Sequence, residues 1–529
     1  MLEVQFSNPT LKVLTMTDWT AGYVADVGYT HGYYTELNPL RARLALLQAG
    51  YVPPPTGGNS CELGFGQGVS VNMHAAATAT RWWGTDFNPS QSGFAESLAQ
   101  ACETKAELSD AAFDAFCARE DLPEFDFIGL HGIWSWISDA NRAVIVDFVR
   151  RKLKVGGVLY ISYNTQPGWA AFAPMRHLMT HHANTMGALG QGIVSRIDGA
   201  IEFADKLVET NPLFVRANPQ VAERLKKLKE QNRHYLAHEY FNRDWHPMHF
   251  DTMAQWLEPA KLQFAGSANY LDYVDALNLS KEQQELLAGV EDPMFKQSVR
   301  DFMVNQQFRK DYWVKGLRAL PALERLELLR QEKVLLTTPR ADITLKANGA
   351  LGEATLTESI YSPILDLLAN HQPQTIGAIE QVLAKQKTDI NLGQLLQAVL
   401  VLGGLGHLYA VQDDPTINKS SKHTQALNKH LMQLARSSQD ISVLASPVTG
   451  GGLPVSRFGQ LFLLSLAKGK KEPKQWAEDA WQWLEMQGQR LLKDGQTLQS
   501  KEDNLKELNE QATAFATKQL PILKSAKIA

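Results

Sequence analysis

The run Cys61-Glu62-Leu63-Gly64-Phe65-Gly66-Gln67-Gly68 constrains the fold of this chain more than any other stretch. Glycine at every second position lets a backbone turn come within contact distance of a ligand, where a Cβ would collide. A short apolar strand over 60–63 leads into the turn, and a helical pattern over 69–80 leaves it, aiming its free N–H groups back at the same spot. A second strand over 81–86, another over 125–130 ending in His131-Gly132-Ile133-Trp134-Ser135-Trp136, and a third over 158–163 after Lys154-Val155-Gly156-Gly157 alternate with helices. That order predicts an α/β fold, a parallel sheet covered by helices, with its ligand at the carboxyl ends of the strands.

The second strand ends in Asp86, where an acid accepts hydrogen bonds from ribose hydroxyls. Nicotinamide enzymes share that geometry, so the glycine spacing has to discriminate. A dinucleotide fingerprint runs G-x-G-x-x-G and supports a pyrophosphate, whereas Gly64, Gly66 and Gly68 run G-x-G-x-G with Glu62 immediately before. A carboxylate at Glu62 repels a pyrophosphate but holds an ammonium group. S-adenosylmethionine (SAM) has an ammonium and no phosphate, and it is the expected cofactor.

Size and charge limit the alternatives. A chain of 529 residues exceeds one ordinary core and predicts several domains. Its net charge of -4 argues against a general nucleic-acid binder. Cys61, Cys102 and Cys117 cannot all pair with one another and show no C-x-x-C spacing, which predicts a reducing cytoplasm. Met1-Leu2-Glu3-Val4 lacks the pattern of a secretory leader. The most apolar run, 395–411, contains Gln397, His407 and several glycines, so a buried helix and turn is expected there rather than a membrane span. His177, His181 and His182 share a helix but lack the glutamate of an H-E-x-x-H motif, and no metal is expected.

Four segments in order, E-L-G-F-G-Q-G, G-T-D-F-N-P, F-D-F-I-G-L-H-G-I-W-S-W and Y-N-T-Q-P-G-W, resemble one group of class I SAM-dependent methyltransferases that carry a methyltransferase regulatory domain. That group includes the rickettsial lysine methyltransferases acting on outer-membrane proteins. The tyrosine-rich N-terminal segment ending in Asn38-Pro39-Leu40-Arg41 is similar to theirs, although family members often have tyrosine where Trp134 stands. The resemblance implies that Glu62, Gly64, Gly66 and Gly68 hold the methionine half of SAM, with His131 and Gly132 on its side. It places Asp86 on the ribose and Phe87 on adenine, with Asp110 and Phe113 bordering the adenine amine. At the reacting end, aromatic faces from Tyr29, Tyr33, Trp134, Trp136 and Tyr163 suit an incoming ammonium, and the side-chain carbonyl of Asn164 suits an amine.

Along the chain these readings give an N-terminal pocket segment or lid over 1–55 and a SAM-binding Rossmann-like domain over 56–180. An all-α regulatory region over 181–345, a winged-helix-like domain over 346–412 and C-terminal helices over 413–529 follow. The third helix of the winged-helix-like pattern, from Leu392, has no Lys or Arg near its start, so contacts with protein are expected there instead of nucleic acid. The expected activity is methyl transfer to a lysine amine of a protein, an outer-membrane protein where the resemblance extends so far. A small-molecule amine or heterocycle as acceptor, or a non-catalytic SAM-binding scaffold, are the alternatives, and a homodimer is left open.

Overall fold

The computed structural model describes residues 20, 23, 28, 30–104, 106–187 and 190–529. Tyr29 lies outside the described residues. Five parallel strands, β1 (Asn59–Leu63), β2 (Arg81–Thr85), β3 (Glu107–Ser109), β4 (Phe125–Leu130) and β5 (Leu153–Asn164), are joined by β6 (Leu262–Ser267) and β7 (Phe308–Lys315). They form one seven-stranded sheet in the order β3-β2-β1-β4-β5-β7-β6, in which β7 runs antiparallel to both its neighbours. The expected α/β fold with a Rossmann-like sheet is therefore present.

One expectation needs correction. The region 181–345 is not all-α, because it supplies β6 and β7, and β7 pairs with β5 along seven registered positions from Val158–Val314 to Asn164–Phe308. The strand is hard to see in the sequence because its inward positions carry charge. Arg309 is 6% exposed and donates to Asp311 at 2.9 Å and Asp301 at 2.6 Å, so ions that read as a solvated helix are buried and paired. The strand order also means that the sheet crosses residue 180.

Helix α1 (Pro39–Ala49) opens with Asn38 accepting from Leu40 N–H and proline in its first turn. Helix α2 (Val69–Ala77) follows the glycine turn, and each of its 9 residues is buried. It lies between the sheet and the C-terminal region, where Val69, Met73 and Ala76 share a core with Leu431, Leu444 and Leu461. Helix α3 (Pro89–Ala101) is capped by Asn88, and α4 (Phe113–Cys117) and α5 (Asp139–Lys152) complete the half built on the parallel strands.

Between β5 and β6, helices Ala173–Thr185, Ile193–Glu209, Gln220–Lys229 and Arg233–Tyr240 build a separate small core around Met175, Ile197, Leu225 and Leu236. Further on, helices Glu358–Leu368, Ile376–Lys385 and Leu392–Gly404 stand on a three-stranded sheet with Lys333–Leu336 at its centre, flanked by Gln374–Thr375 and Leu408–Val411. That central strand precedes the helices. The apolar run 395–411 is a buried helix end and strand, and no helix among the described residues is long and apolar enough to cross a membrane.

Candidate active site

At the carboxyl ends of β1, β2 and β4 the glycine turn forms one side of a deep cleft. Gly64, Gly66 and Gly68 all adopt left-handed backbone angles, with φ of 70°, 57° and 68°. The conformation alone disfavours other residues, and space does so again. A Cβ on Gly64 would lie 1.6 Å from Ile133 Cδ1, and one on Gly68 would lie 2.3 Å from Ala95 Cβ and 3.1 Å from Ala95 Cα. Replacing Gly68 with Ala is expected to lower stability by about 2 kcal/mol or more, because α3 must shift as well as the backbone. A thermal midpoint equal to that of the wild type would refute this.

Asp86 fixes the turn from across the sheet. Its carboxylate accepts from Gly66 N–H at 2.8 Å and Asn88 N–H at 3.1 Å. Burial still lifts its pKa to about 6, against the downward pull of those two bonds. Glu62, 2% exposed at the end of β1, is raised further, to about 8, by burial and then by the charge of Asp86. Its Oε2 is buried with no hydrogen-bond partner among the described residues. An orphaned carboxylate oxygen at the floor of a cleft fits a ligand that brings a cation, as the ammonium of SAM does.

The loop after β3 forms the opposite wall. Thr85 Oγ1 donates to the carbonyl of Ala111, and this turns Ala111, Ala112, Phe113 and Asp114 towards the cleft. Asp110 is exposed and outside the lining, which corrects its expected place. Phe87 and Phe113 are both lining residues, as is Tyr23, whose ring meets Phe87 edge-on at 5.7 Å.

The turn after β4 is held from β5. Tyr160 OH bonds His131 Nδ1 at 2.8 Å, and Ser162 Oγ accepts from Gly132 N–H at 2.8 Å. Tyr34 stacks on the His131 ring with centroids 3.6 Å apart. Burial drives the His131 pKa down to about 3, so a neutral imidazole faces the cleft.

The residues expected at the reacting end are dispersed. Trp136 lines the cleft, but Trp134, fully buried, packs in the core with its Nε1–H on Met248 Sδ at 3.4 Å. Tyr163 points into the buried ion network, donating to Asp311 at 2.9 Å. Tyr33 turns towards the C-terminal region, with its hydroxyl 3.2 Å from His74 Nε2. Asn164 is buried outside the lining, its N–H bonded to Ser135 Oγ at 2.8 Å. For all four, partners distant in sequence decide the outcome: His74 for Tyr33, Met248 for Trp134, Asp311 for Tyr163 and Ser135 for Asn164. Tyr34, Glu239 and Asp244 line the cleft without having been singled out as site residues. Only the tyrosine cluster carried a signal for the first, and the two acids come from the helical segment far along the chain.

Residues 232–315 match the model of a predicted methyltransferase regulatory domain. The uncharacterized protein sll1526 of Synechocystis sp. is 41% identical over 509 residues, covering 96% of this chain and 98% of its own length. The uncharacterized protein RP789 of Rickettsia prowazekii is 28% identical over 202 residues, 36% of this chain and 35% of its own. In three dimensions the chain is similar to PKMT2 from Rickettsia typhi, solved in complex with AdoHcy, with a TM-score of 0.69 and 16% identity over 94% of this chain and 99% of that one.

Proposed function

We propose a function from one premise, that this chain belongs to the class I SAM-dependent methyltransferases carrying a methyltransferase regulatory domain. Within that family we read it as an enzyme that methylates a lysine amine of a protein. The observation that carries this reading is the charge of the cleft. Beside Glu62 and Asp86, which the cofactor would take, Asp114, Glu239 and Asp244 line it, and no lysine or arginine does among the described residues. Such a wall disfavours phosphate-bearing acceptors and favours cationic ones.

SAM supplies an activated methyl on a sulfonium. Glu62 would take its ammonium through the unpartnered Oε2, Asp86 its ribose hydroxyls, and Phe87 and Phe113 its adenine. The AdoHcy bound by PKMT2, of like fold, supports this placement. For transfer, the acceptor ammonium first gives a proton to water. Bound SAM would supply its methyl to that nitrogen, the electron pair of the carbon–sulfur bond staying on sulfur. The neutral His131 adds no positive charge beside the sulfonium, and the ring stack of Tyr34 keeps water from one side. We read the region over 346–412, whose three helices stand on the sheet centred on Lys333–Leu336, as winged-helix-like.

Incubation with methyl-labelled SAM and bacterial lysate is expected to place label in protein, on lysine after acid hydrolysis. Label confined to small molecules would replace the protein acceptor by a small amine. SAM binding with no labelled product would leave a scaffold.

A further inference from the structure

The amino-acid end of SAM carries a carboxylate beside its ammonium, and the cleft offers that carboxylate no cation, since no lysine or arginine lines it among the described residues. The glycine N–H groups are already committed. Gly64 donates to the carbonyl of Thr85 at 2.7 Å, Gly66 to Asp86, Gly68 to the carbonyl of Phe65 at 2.9 Å, and Gly132 to Ser162. The carboxylate therefore needs a side-chain donor close to Glu62. Glu62 is in register with Gly129 on the neighbouring β4, and His131 follows two residues beyond, where it lines the same cleft.

The His131 ring is held on all sides but one. Tyr34 covers a face at 3.6 Å, Phe308 meets it edge-on at 6.5 Å, and Tyr160 takes Nδ1 at 2.8 Å, which leaves Nε2 with no partner among the described residues. Burial keeps the imidazole neutral, so it bears one N–H. Which nitrogen carries that proton follows from the hydroxyls behind the ring. Ser162 Oγ accepts from Gly132 N–H and is also hydrogen-bonded to the Tyr160 hydroxyl, and both side chains are buried. With the proton on Nδ1, one of these two buried hydroxyl protons has no acceptor among the described residues, whichever way the pair is turned. With the proton on Nε2, Gly132 donates to Ser162, Ser162 to Tyr160 and Tyr160 to Nδ1, and every donor in the series is satisfied.

We propose that His131, fixed with its proton on Nε2 by Tyr160 and Ser162, donates to the carboxylate of the cofactor's amino-acid end while Glu62 takes the ammonium. The proposal rests on the reading of the cleft as the SAM site. The two side chains, on neighbouring strand ends, form a clamp for a zwitterion, and Tyr160 and Ser162 are its positioning residues. A neutral donor suits the place, because a lysine or arginine there would set a second positive charge beside the sulfonium.

The test compares two ligands on the full chain by calorimetry, S-adenosylhomocysteine and its decarboxylated analogue, which keeps the ammonium. His131→Phe, which retains a ring for Tyr34 to stack on, is expected to weaken S-adenosylhomocysteine by about tenfold or more and the analogue by no more than about twofold. Should the orphaned Tyr160 hydroxyl prevent folding, the double variant His131→Phe with Tyr160→Phe removes both partners, and the same selective loss is expected. Equal losses for the two ligands, or no loss for either, would overturn the clamp. NMR of the ligand-free wild type with isotope-labelled histidine should find the His131 proton on Nε2, and Tyr160→Phe should let both tautomers appear; a wild-type proton on Nδ1 would also overturn it. Failure of the wild type to bind S-adenosylhomocysteine at all would strike the cofactor reading, and the clamp with it.

Discussion

Glu62→Gln is expected to abolish measurable SAM binding near neutral pH, a loss of about 3 kcal/mol or more, and at the same time to stabilise the ligand-free protein in alkaline buffer. Both effects come from one buried carboxyl. Its pKa rises from an ordinary 4.5 to about 8 because burial disfavours the ion and Asp86 stands nearby. Between those values the folded state binds more protons than the unfolded one, so ligand-free stability falls as pH climbs from about 4.5 through about 8 and then levels off. Asp86, raised from 3.8 to about 6, acts in the same sense over a lower window. Glutamine cannot ionise, and the variant loses the decline that belongs to Glu62.

The same carboxyl has to ionise to hold an ammonium, so SAM binding should release a proton. Calorimetry in two buffers of different ionisation enthalpy measures that release directly, and thermal unfolding across the pH range measures the stability slope. Wild-type binding with no proton release, or a variant that binds SAM as tightly as the wild type, would remove Glu62 from the methionine end of the site.

The features legible in the sequence are those fixed by local chemistry. The glycine turn needs left-handed angles at Gly64, Gly66 and Gly68, and only glycine adopts them freely, so the motif announces its own geometry. Glu62 and Asp86 sit at strand ends, where the sheet alone determines that they face the cleft. The acceptor side is different. Trp134 and Trp136 are two residues apart in one turn of helix, and the structure places one in the core and the other in the cleft. Tyr163 and Asn164, adjacent at the end of β5, both miss the cleft because one meets Asp311 and the other the Ser135 turn. Such choices depend on partners distant in sequence. Strand β7 was hidden for a related reason, since the charges of Arg309 and Asp311 make sense only once Asp301 is beside them.

Removing residues 413–529 is expected to destroy the cofactor site although none of those residues lines the cleft. In a sheet covered by one helix layer, a helix like α2 would keep a solvated face with polar residues. Here all 9 of its residues are buried, and the sequence V-S-V-N-M-H-A-A-A offers no charged side chain to a solvent. The covering comes from helix Asp414–Leu434 and the hairpin of Val443–Ser446 with Gly451–Pro454, which enclose Val69, Met73 and Ala76 in their own core. Gln412 Nε2 ties the two together by donating to the carbonyl of Ala77 at 2.6 Å and to that of Pro447. Truncation after residue 412, the proposed start of the C-terminal region, would expose these apolar side chains at about 25 cal/mol per Å² and leave the buried His74 to water. The N-terminus of α2 is the glycine turn itself, so loosening the helix loosens the place where SAM binds. The shortened chain should aggregate or, if kept in solution, fail to bind SAM by calorimetry. A soluble 1–412 chain with wild-type SAM affinity would show instead that the sheet holds α2 unaided.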